Sequence, residues 1–273
     1  MDSNHIISAN LHLTVRCNYR CAHRFDRHLA NGCMKPCEWI PVLDYLKSIG
    51  VRKINLAGGE PTLYPYLDEL VDLLASYGFT ISIVSNGSTI DMCFLKRYLG
   101  RISWIGLSID SPDEEDEVRM GRHCEGIDHI QHVRWVSKAA KDLGYKVKIN
   151  ITVTRDSWHK DFRPLIWGIR PDRVKAFRVL TLKNANDDRD DTWSVSDGQF
   201  AAFKLRHADV PGIIFEDNCD MLCSYLMFDP LGRWMVNDHR TKSFLPFEQL
   251  LNDGPESIIE IQRYNDRGAV YDW

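Results

Sequence analysis

A chain of 273 residues, 44% apolar and 26% charged, is long enough to bury one substantial core. A formal charge of −4 and a pI near 6.2 argue against a general polyanion-binding surface, so any phosphate must be gripped by a few converging side chains. No apolar run reaches the length of a membrane span, the first ten residues lack the basic start and apolar centre of a signal segment, and the eight cysteines read as thiols and metal ligands of a cytosolic protein rather than a disulfide framework.

In chain order, Leu11–Arg16 alternates as a strand. There follow a helix near Trp39–Ser48, a strand Lys53–Ala57, a helix Tyr66–Tyr77, a strand Thr80–Ser85 and a helix near Met92–Leu99. A strand Trp104–Ile109, a helix Ile127–Asp142, a strand Lys146–Thr152, a short helix after Trp158 and a strand Lys175–Leu182 continue the alternation. Six strand-then-helix units in line imply a parallel sheet of the α/β class, and their even spacing favours an open or partial (β/α)6 barrel. The barrel is expected over residues 1–183, with residues 184–273 as an α/β extension packed on it in a single structural domain. The stretch Asn184–Asp191 reads as an acidic loop, Asp197–His207 as a helix, and Ser224–Phe228 with Arg233–Asn237 as a hairpin turned by Asp229-Pro230-Leu231-Gly232.

In such a barrel the chemistry gathers at the carboxyl ends of the strands. The first strand runs into Cys17-Asn18-Tyr19-Arg20-Cys21-Ala22-His23-Arg24. Cys, three residues, Cys, two residues, Cys at this place is the loop by which radical S-adenosylmethionine (SAM) enzymes hold a four-iron four-sulfur cluster, leaving one iron open for the amino and carboxylate groups of SAM. The third position here is Arg24, a cation with no lone pair for iron. Cys33 is the fallback ligand, which would require its loop to fold back. A zinc site of Cys17, Cys21, Cys33 and Cys37 is the alternative, less well matched by these spacings, and His23 and His28 are further possible donors.

Later strand ends carry Gly58-Gly59-Glu60-Pro61, Ser85-Asn86-Gly87-Ser88 and Ser108-Ile109-Asp110-Ser111, with Gly121-Arg122 in an acidic loop beyond. Each alone reads equally well as an ordinary turn or a solvated charge. A second pattern is more telling. Lys53 and Asn55, Lys148 and Asn150, and Arg173 and Lys175 each stand two apart on a strand, so each pair faces one side, with Ile54, Ile149 and Val174 facing the other. Lysines turned into a barrel call for an anion, and a triphosphate suits three such strands; rim lysines paired with acids such as Asp110 are the competing reading.

With these residues together, the chain resembles viperin and its prokaryotic relatives, radical SAM nucleotide dehydratases that convert CTP, UTP or GTP to 3′-deoxy-3′,4′-didehydro nucleotides in antiviral defence. The resemblance runs over nearly the whole chain, through Cys17–Cys21, Lys53-Ile54-Asn55, Gly58–Pro61, Ser85-Asn86-Gly87, Ser108, Gly121-Arg122, Lys148-Ile149-Asn150, Arg173-Val174-Lys175, Ser224-Tyr225-Leu226 and Asp272-Trp273. It implies a 4Fe-4S cluster on Cys17 and Cys21, and SAM on Gly59, Glu60, Ser85, Ser108 and Arg122, with Arg122 at the SAM carboxylate. The nucleotide would lie on Lys53, Asn55, Lys148, Asn150, Arg173 and Lys175, closed over by Tyr225. It further implies CTP as the foremost substrate, a reductant such as flavodoxin or ferredoxin, a monomer, and neither membrane nor nucleic acid as partner, since the amphipathic membrane helix of animal viperin has no counterpart before the first strand. The departure is Arg24, where the family has cysteine. A catalytically silent nucleotide-binding homologue, and a radical SAM enzyme acting on a peptide or other small molecule, stand as alternatives.

Overall fold

The computed structural model describes residues 6–24, 31–182, 186, 190–238 and 241–268. Seven parallel strands form its spine: β1 (Ser8–His12), β2 (Lys53–Ala57), β3 (Thr80–Ser85), β4 (Ile102–Ser108), β5 (Lys146–Val153), β6 (Arg173–Arg178) and β7 (Ile213–Glu216). On the open side of β1 lie β8 (Met227–Phe228), parallel to it, and then antiparallel β9 (Trp234–Asp238) and β10 (Thr241–Leu245). The order β10-β9-β8-β1-β2-β3-β4-β5-β6-β7 makes one open sheet, a partial barrel whose edge is extended by the C-terminal part of the chain.

Helices cover the outer face for a reason visible in their spacing. In α2 (Leu67–Ser76), Leu67, Leu70, Val71 and Leu74 recur on one helical stripe and are buried. They meet the outward residues of the strands, among them Ile54, Leu56, Ile81 and Ile83, all fully buried. The helix stops where Gly78 takes φ +73, a left-handed conformation that glycine enters without steric cost. α5 (His129–Asp142) starts on Asp128, whose carboxylate accepts the Gln131 N–H, and buries Ile130, Val133, Val136 and Ala140. The remaining outer helices α1 (Ile40–Ser48), α3 (Met92–Arg97) and α6 (Arg163–Ile169) fall where the sequence places them.

Three departures have physical causes. The first strand is Ser8–His12 rather than Leu11–Arg16: beyond Leu13 the backbone turns to serve the exit of β2, with Gly59 N–H donating to Thr14 O at 2.7 Å and Glu60 N–H to Arg16 O at 2.8 Å. The sixth strand begins at Arg173, because Arg173 pairs with Lys148 on β5, and it ends at Arg178. The short β7, α4 (Glu114–Arg119), β10, α9 (Phe247–Asp253) and α10 (Ile261–Asp266) carry too few periodic residues to be read in advance. α7 (Asp190–Trp193) and α8 (Asp197–Arg206) complete the elements. His28, Asp272-Trp273 and most of the Asn184–Asp191 loop lie outside the described residues. Among those residues, no helix is long and apolar enough to cross a membrane.

Candidate functional site

The concave face of the sheet encloses a cavity of about 350 Å³. The inward residues of successive strands line it: Ser8, Asn10 and His12 from β1, Lys53 and Asn55 from β2, Lys148 and Asn150 from β5, and Arg173 and Lys175 from β6. The period of two therefore works as the sequence implies, for Ile54, Ile149 and Val174 are buried on the helix side.

At the mouth, the loop after β1 is pinned rather than free. Arg20 N–H donates to Gly121 O and Ala22 N–H to Met120 O, each at 3.0 Å. Gly121 sits at φ +79, and a Cβ there would stand 2.4 Å from Arg20 O. Cys17 and Cys21 line the cavity, with Tyr19 N–H donating to Cys17 Sγ at 3.3 Å. Burial pushes the Cys21 thiol up to about 12, with Asp110 and Cys17 adding to the effect against Arg122. Arg24 lines the same cavity and donates from Nη2 to Val15 O at 3.3 Å.

Of the other proposed cluster donors, Cys33 and Cys37 lie away from the cavity, whereas His23 lines it. Cys33 packs half-buried against the apolar core and does not line the cavity, and its neighbour Met34 accepts the Tyr64 hydroxyl through its carbonyl at 2.5 Å. Cys37 is exposed in a turn of 3-10 helix, Pro36–Trp39. His23 turns to Asp110, 2.9 Å from Nε2 to Oδ2. Among the described residues, no three His, Cys, Asp or Glu side chains gather to hold a metal ion, so neither the Cys33 fallback nor the four-cysteine zinc site is assembled.

Beside the loop, Gly58, Gly59, Ser85, Ser108 and Arg122 reach the cavity. Added Cβ atoms would meet Thr14 O at 2.6 Å from Gly58 and Arg16 O at 2.3 Å from Gly59, so these glycines let the exits of β1 and β2 touch. Glu60 lies one layer behind the cavity surface, fully buried. Its Oε1 accepts Thr62 N–H at 3.1 Å, the Thr62 hydroxyl at 2.6 Å and the Ser85 hydroxyl at 2.8 Å, and its Oε2 accepts Asn86 N–H at 2.8 Å. Burial raises its pKa and these bonds oppose the rise. Glu60 thus braces the β2 and β3 exits against each other.

Arg122 is clamped by carboxylates: Nε is 2.5 Å from Asp110 Oδ2 and 3.6 Å from Glu117 Oε2. Burial works against an ionised Asp110, but Arg122 and His23 together hold it well below the usual carboxylate range. Asp110 thereby answers the alternative that it pairs with rim lysines; it serves Arg122 and His23, and it accepts Thr152 N–H at 3.0 Å. Tyr19 connects to the same corner. Its hydroxyl donates to His129 Nδ1 at 3.1 Å, while His129 Nε2 donates to Ser108 O at 2.9 Å, which fixes the neutral tautomer. Burial first, and then Arg122, lower the His129 pKa to about 4.

The floor is cationic. Burial, reinforced by the neighbouring cations Lys148, Arg173 and Lys175, lowers the Lys53 pKa to about 6. Burial and then Lys175 and Arg173 bring Lys148 to about 7, and burial brings Lys175 to about 8 even though Glu216 opposes it. Lys175 is ion-paired to Glu216, which also accepts the Tyr225 hydroxyl. One lysine in the ring therefore does have an acid partner, from β7 rather than from the predicted rim. Arg267, between α10 and the end of the described chain, also lines the cavity. Its guanidinium stacks 3.6 Å from the Tyr225 ring centroid and its Nε donates to Ser224 O at 2.7 Å. Arg267 and Glu216 escaped sequence reasoning because the first lies just beyond a six-residue helix and the second on a four-residue strand, neither with a charged partner two residues away on a readable strand. The Asn55 Oδ1 already accepts the Ser82 hydroxyl at 2.8 Å, whereas the Asn150 Oδ1 is buried with no hydrogen-bond partner among the described residues.

A partial barrel with a two-cysteine loop after its first strand, glycines after the second and a clamped arginine beyond the fourth is the architecture of a radical SAM protein, and the chain matches the Radical SAM superfamily over residues 11–165. Its fold is similar to that of "Native anSMEcpe with bound AdoMet" (TM-score 0.63, 14% identity, 84% of this chain and 74% of that one). It is also similar to Streptococcus suis SuiB bound to S-adenosylmethionine (TM-score 0.58, 16% identity, 78% and 48%). Within that superfamily the chain belongs to the S-adenosylmethionine-dependent nucleotide dehydratases, the viperin family. It is 53% identical over 266 residues to the dehydratase of Thermoplasmatales archaeon (strain ISO4-H5), covering 97% of this chain and 96% of the relative. It is 32% identical to that of Flammeovirga pacifica (99% and 97%) and 29% identical to the dehydratase RSAD2 of Danio rerio (97% and 78%).

Radical SAM enzymes use a four-iron four-sulfur cluster and SAM. The two requirements fare differently here. The SAM side fits, since small residues and the buried Arg122 guanidinium face the cavity next to the cysteine loop. The cluster side does not: two thiols face the cavity, and the third position presents a guanidinium already bonded to a carbonyl.

Proposed function

We propose that the cavity binds a nucleoside triphosphate, CTP foremost and UTP or GTP as related candidates, together with SAM. The carrying observation is that Lys53, Lys148, Arg173, Lys175 and Arg267 converge on one cavity in which burial and mutual repulsion push the three lysines down to about 6, 7 and 8. Cations so placed are stabilised by an anion that brings several charges to one spot, and a triphosphate does that with charge-assisted bonds to each. Asn150 offers an acceptor suited to a ribose hydroxyl or base amine. Tyr225, held by Glu216 and Arg267, forms the side of the site nearest the extension. Gly59, Ser85, Ser108 and Arg122 would hold SAM, with Arg122 on its carboxylate and Glu60 keeping the two strand exits in place.

The relatives are named nucleotide dehydratases; for this chain, once a cluster is in place, we read the reaction as dehydration of the bound nucleotide to a 3′-deoxy-3′,4′-didehydro product suited to antiviral defence, in a cytosolic setting with a flavodoxin- or ferredoxin-like reductant. The direct test is calorimetric titration with CTP, cytidine and SAM. Lys148→Ala or Lys175→Ala should weaken CTP by about tenfold to a hundredfold, the worth of one charge-assisted bond to phosphate, and leave cytidine nearly unchanged. Equal losses for both ligands would refute the placement of the triphosphate on these lysines.

A further inference from the structure

We infer that this chain keeps the SAM and nucleotide sites of its family but assembles no stable four-iron cluster, because Arg24, which has no lone pair to offer iron, stands at the third-ligand position beside Cys17 and Cys21. Three observations carry this. The chain is 53% identical to a named nucleotide dehydratase along nearly its whole length, and the cavity is built throughout, so the scaffold has not decayed. Arg24 is not turned out to solvent. Its Nη2 donates to Val15 O at 3.3 Å, and Val15 O is itself only 2.6 Å from where a Cβ on Gly59 would lie. The guanidinium therefore enters the ground between the cysteine loop and the Gly58-Gly59 turn, lining the cavity beside Cys17 and Cys21.

Nor does another thiol stand ready to replace the missing thiolate, for of the eight cysteines only Cys17 and Cys21 line the cavity. Cys33 faces the core beside Met34 and Cys37 is exposed, while His23 lines the cavity with its Nε2 on Asp110 and its buried Nδ1 without a hydrogen-bond partner among the described residues, an imidazole rather than a thiolate. Two thiolates leave a second iron without a protein ligand, and a permanent cation cannot supply one at any accessible pH. A guanidinium also brings a fixed positive charge to a place where the family puts a thiolate, and it is bulkier than the thiol it replaces. The expected state of the chain is then a receptor that binds SAM and nucleoside triphosphate and releases both unchanged. This rests on the triphosphate reading only for its second half; the cluster claim does not depend on it.

The test is anaerobic reconstitution with ferrous iron and sulfide of the parent, Arg24→Cys, Arg24→Ala and Cys33→Ala proteins. Iron and sulfide are counted per chain, the dithionite-reduced samples are examined by electron paramagnetic resonance, and CTP binding is titrated on each. The parent and Arg24→Ala should hold well under half of the complement of about four irons, with no reduced four-iron signal, and Arg24→Cys should reach that complement, a rise of at least about twofold. Cys33→Ala should match the parent. A full cluster in the parent overturns the inference, whether or not Cys33→Ala then abolishes it. A full cluster in Arg24→Ala overturns the claim that the missing ligand, rather than the guanidinium's bulk and charge, is the defect. An Arg24→Cys protein that binds CTP as the parent does yet takes up no more iron overturns it as well. CTP binding is scored separately: its absence from every variant sinks the nucleotide reading and leaves the iron result to decide this one.

Discussion

Binding of a triphosphate to this cavity must be coupled to proton uptake. In the free protein Lys53, Lys148 and Lys175 have pKa values of about 6, 7 and 8, each lowered first by burial. An anion in contact with them restores the charged form, so protons are taken up on binding wherever the free lysine is neutral. Near pH 8 that means about two protons, since Lys53 and Lys148 are then largely neutral and Lys175 is half so. The window from about pH 7.5 to 8.5 lies above the titration of the terminal phosphate, whose second pKa is near 6. Across it, each neutral lysine that must recharge weakens binding by up to about tenfold, which gives a loss of at least tenfold and at most a few hundredfold. Calorimetry in buffers of different ionisation enthalpy counts the protons directly. In Lys148→Met the count should fall by about one. Affinity for CTP that is flat across this window, or that rises with pH, would refute the placement of phosphate on these lysines.

Four further outcomes follow from the same geometry. The linkage sign for folding is the reverse of that for binding: the lysines are lowered in the folded state, the unfolded chain binds more protons between about pH 6 and 10, and their contribution to ligand-free stability should grow with pH over that range, read as a rising thermal midpoint that saturating CTP diminishes. Glu216→Gln removes the acid that occupies Lys175 and Tyr225, so CTP should bind more tightly and with a steeper pH dependence; weaker binding at every pH would assign Glu216 a structural role instead. Arg267→Ala should weaken CTP binding several-fold and leave SAM binding unchanged, by paired titrations. Glu60→Gln forfeits the bond from Asn86 N–H or from the hydroxyls of Thr62 and Ser85 in a fully buried place, which should cost about 2–3 kcal/mol, or a fall of about 5–10 °C in thermal midpoint.

What the sequence disclosed followed from periodicity. The Lys53/Asn55, Lys148/Asn150 and Arg173/Lys175 pairs are legible because a strand sends residues two apart to one face, and a parallel sheet brings those faces to one concavity. Their registration needed the structure: Lys148 lies opposite Arg173 and Asn150 opposite Lys175, which puts the cations of β5 and β6 beside one another. Glu60 was legible as part of the site and illegible in its place, since a Gly-Gly-Glu-Pro string does not say whether the carboxylate faces the cavity or the turn behind it. Glu216 and Arg267 were illegible because the first lies on a four-residue strand and the second beyond a six-residue helix, both too short for a pattern to assert itself. The Asp110–Arg122–His23 cluster joins residues from three segments through side chains alone, a relation no local signal encodes.

An acidic chain with a cationic cavity places its charge where it discriminates. With a net charge of −4, the outer surface does not attract polyanions in general, and screening by salt confines attraction of an anion to about the last ten ångströms of approach. Inside, the lysines remain partly neutral until a ligand arrives, so mutual repulsion costs the empty site less than three fixed charges would. Arginines could not do this, because guanidinium stays charged at every relevant pH. The division is visible in the cavity. The residues expected to recharge on binding are lysines, and each arginine is tied down before any ligand comes: Arg122 on Asp110, Arg173 on the Gly268 carbonyl, Arg267 on Tyr225 and the Ser224 carbonyl. Arg24 follows that rule in holding the Val15 carbonyl, and it breaks the family's rule by standing where a thiolate must be, so the residue that fits the electrostatics of the cavity is the one that closes its iron site.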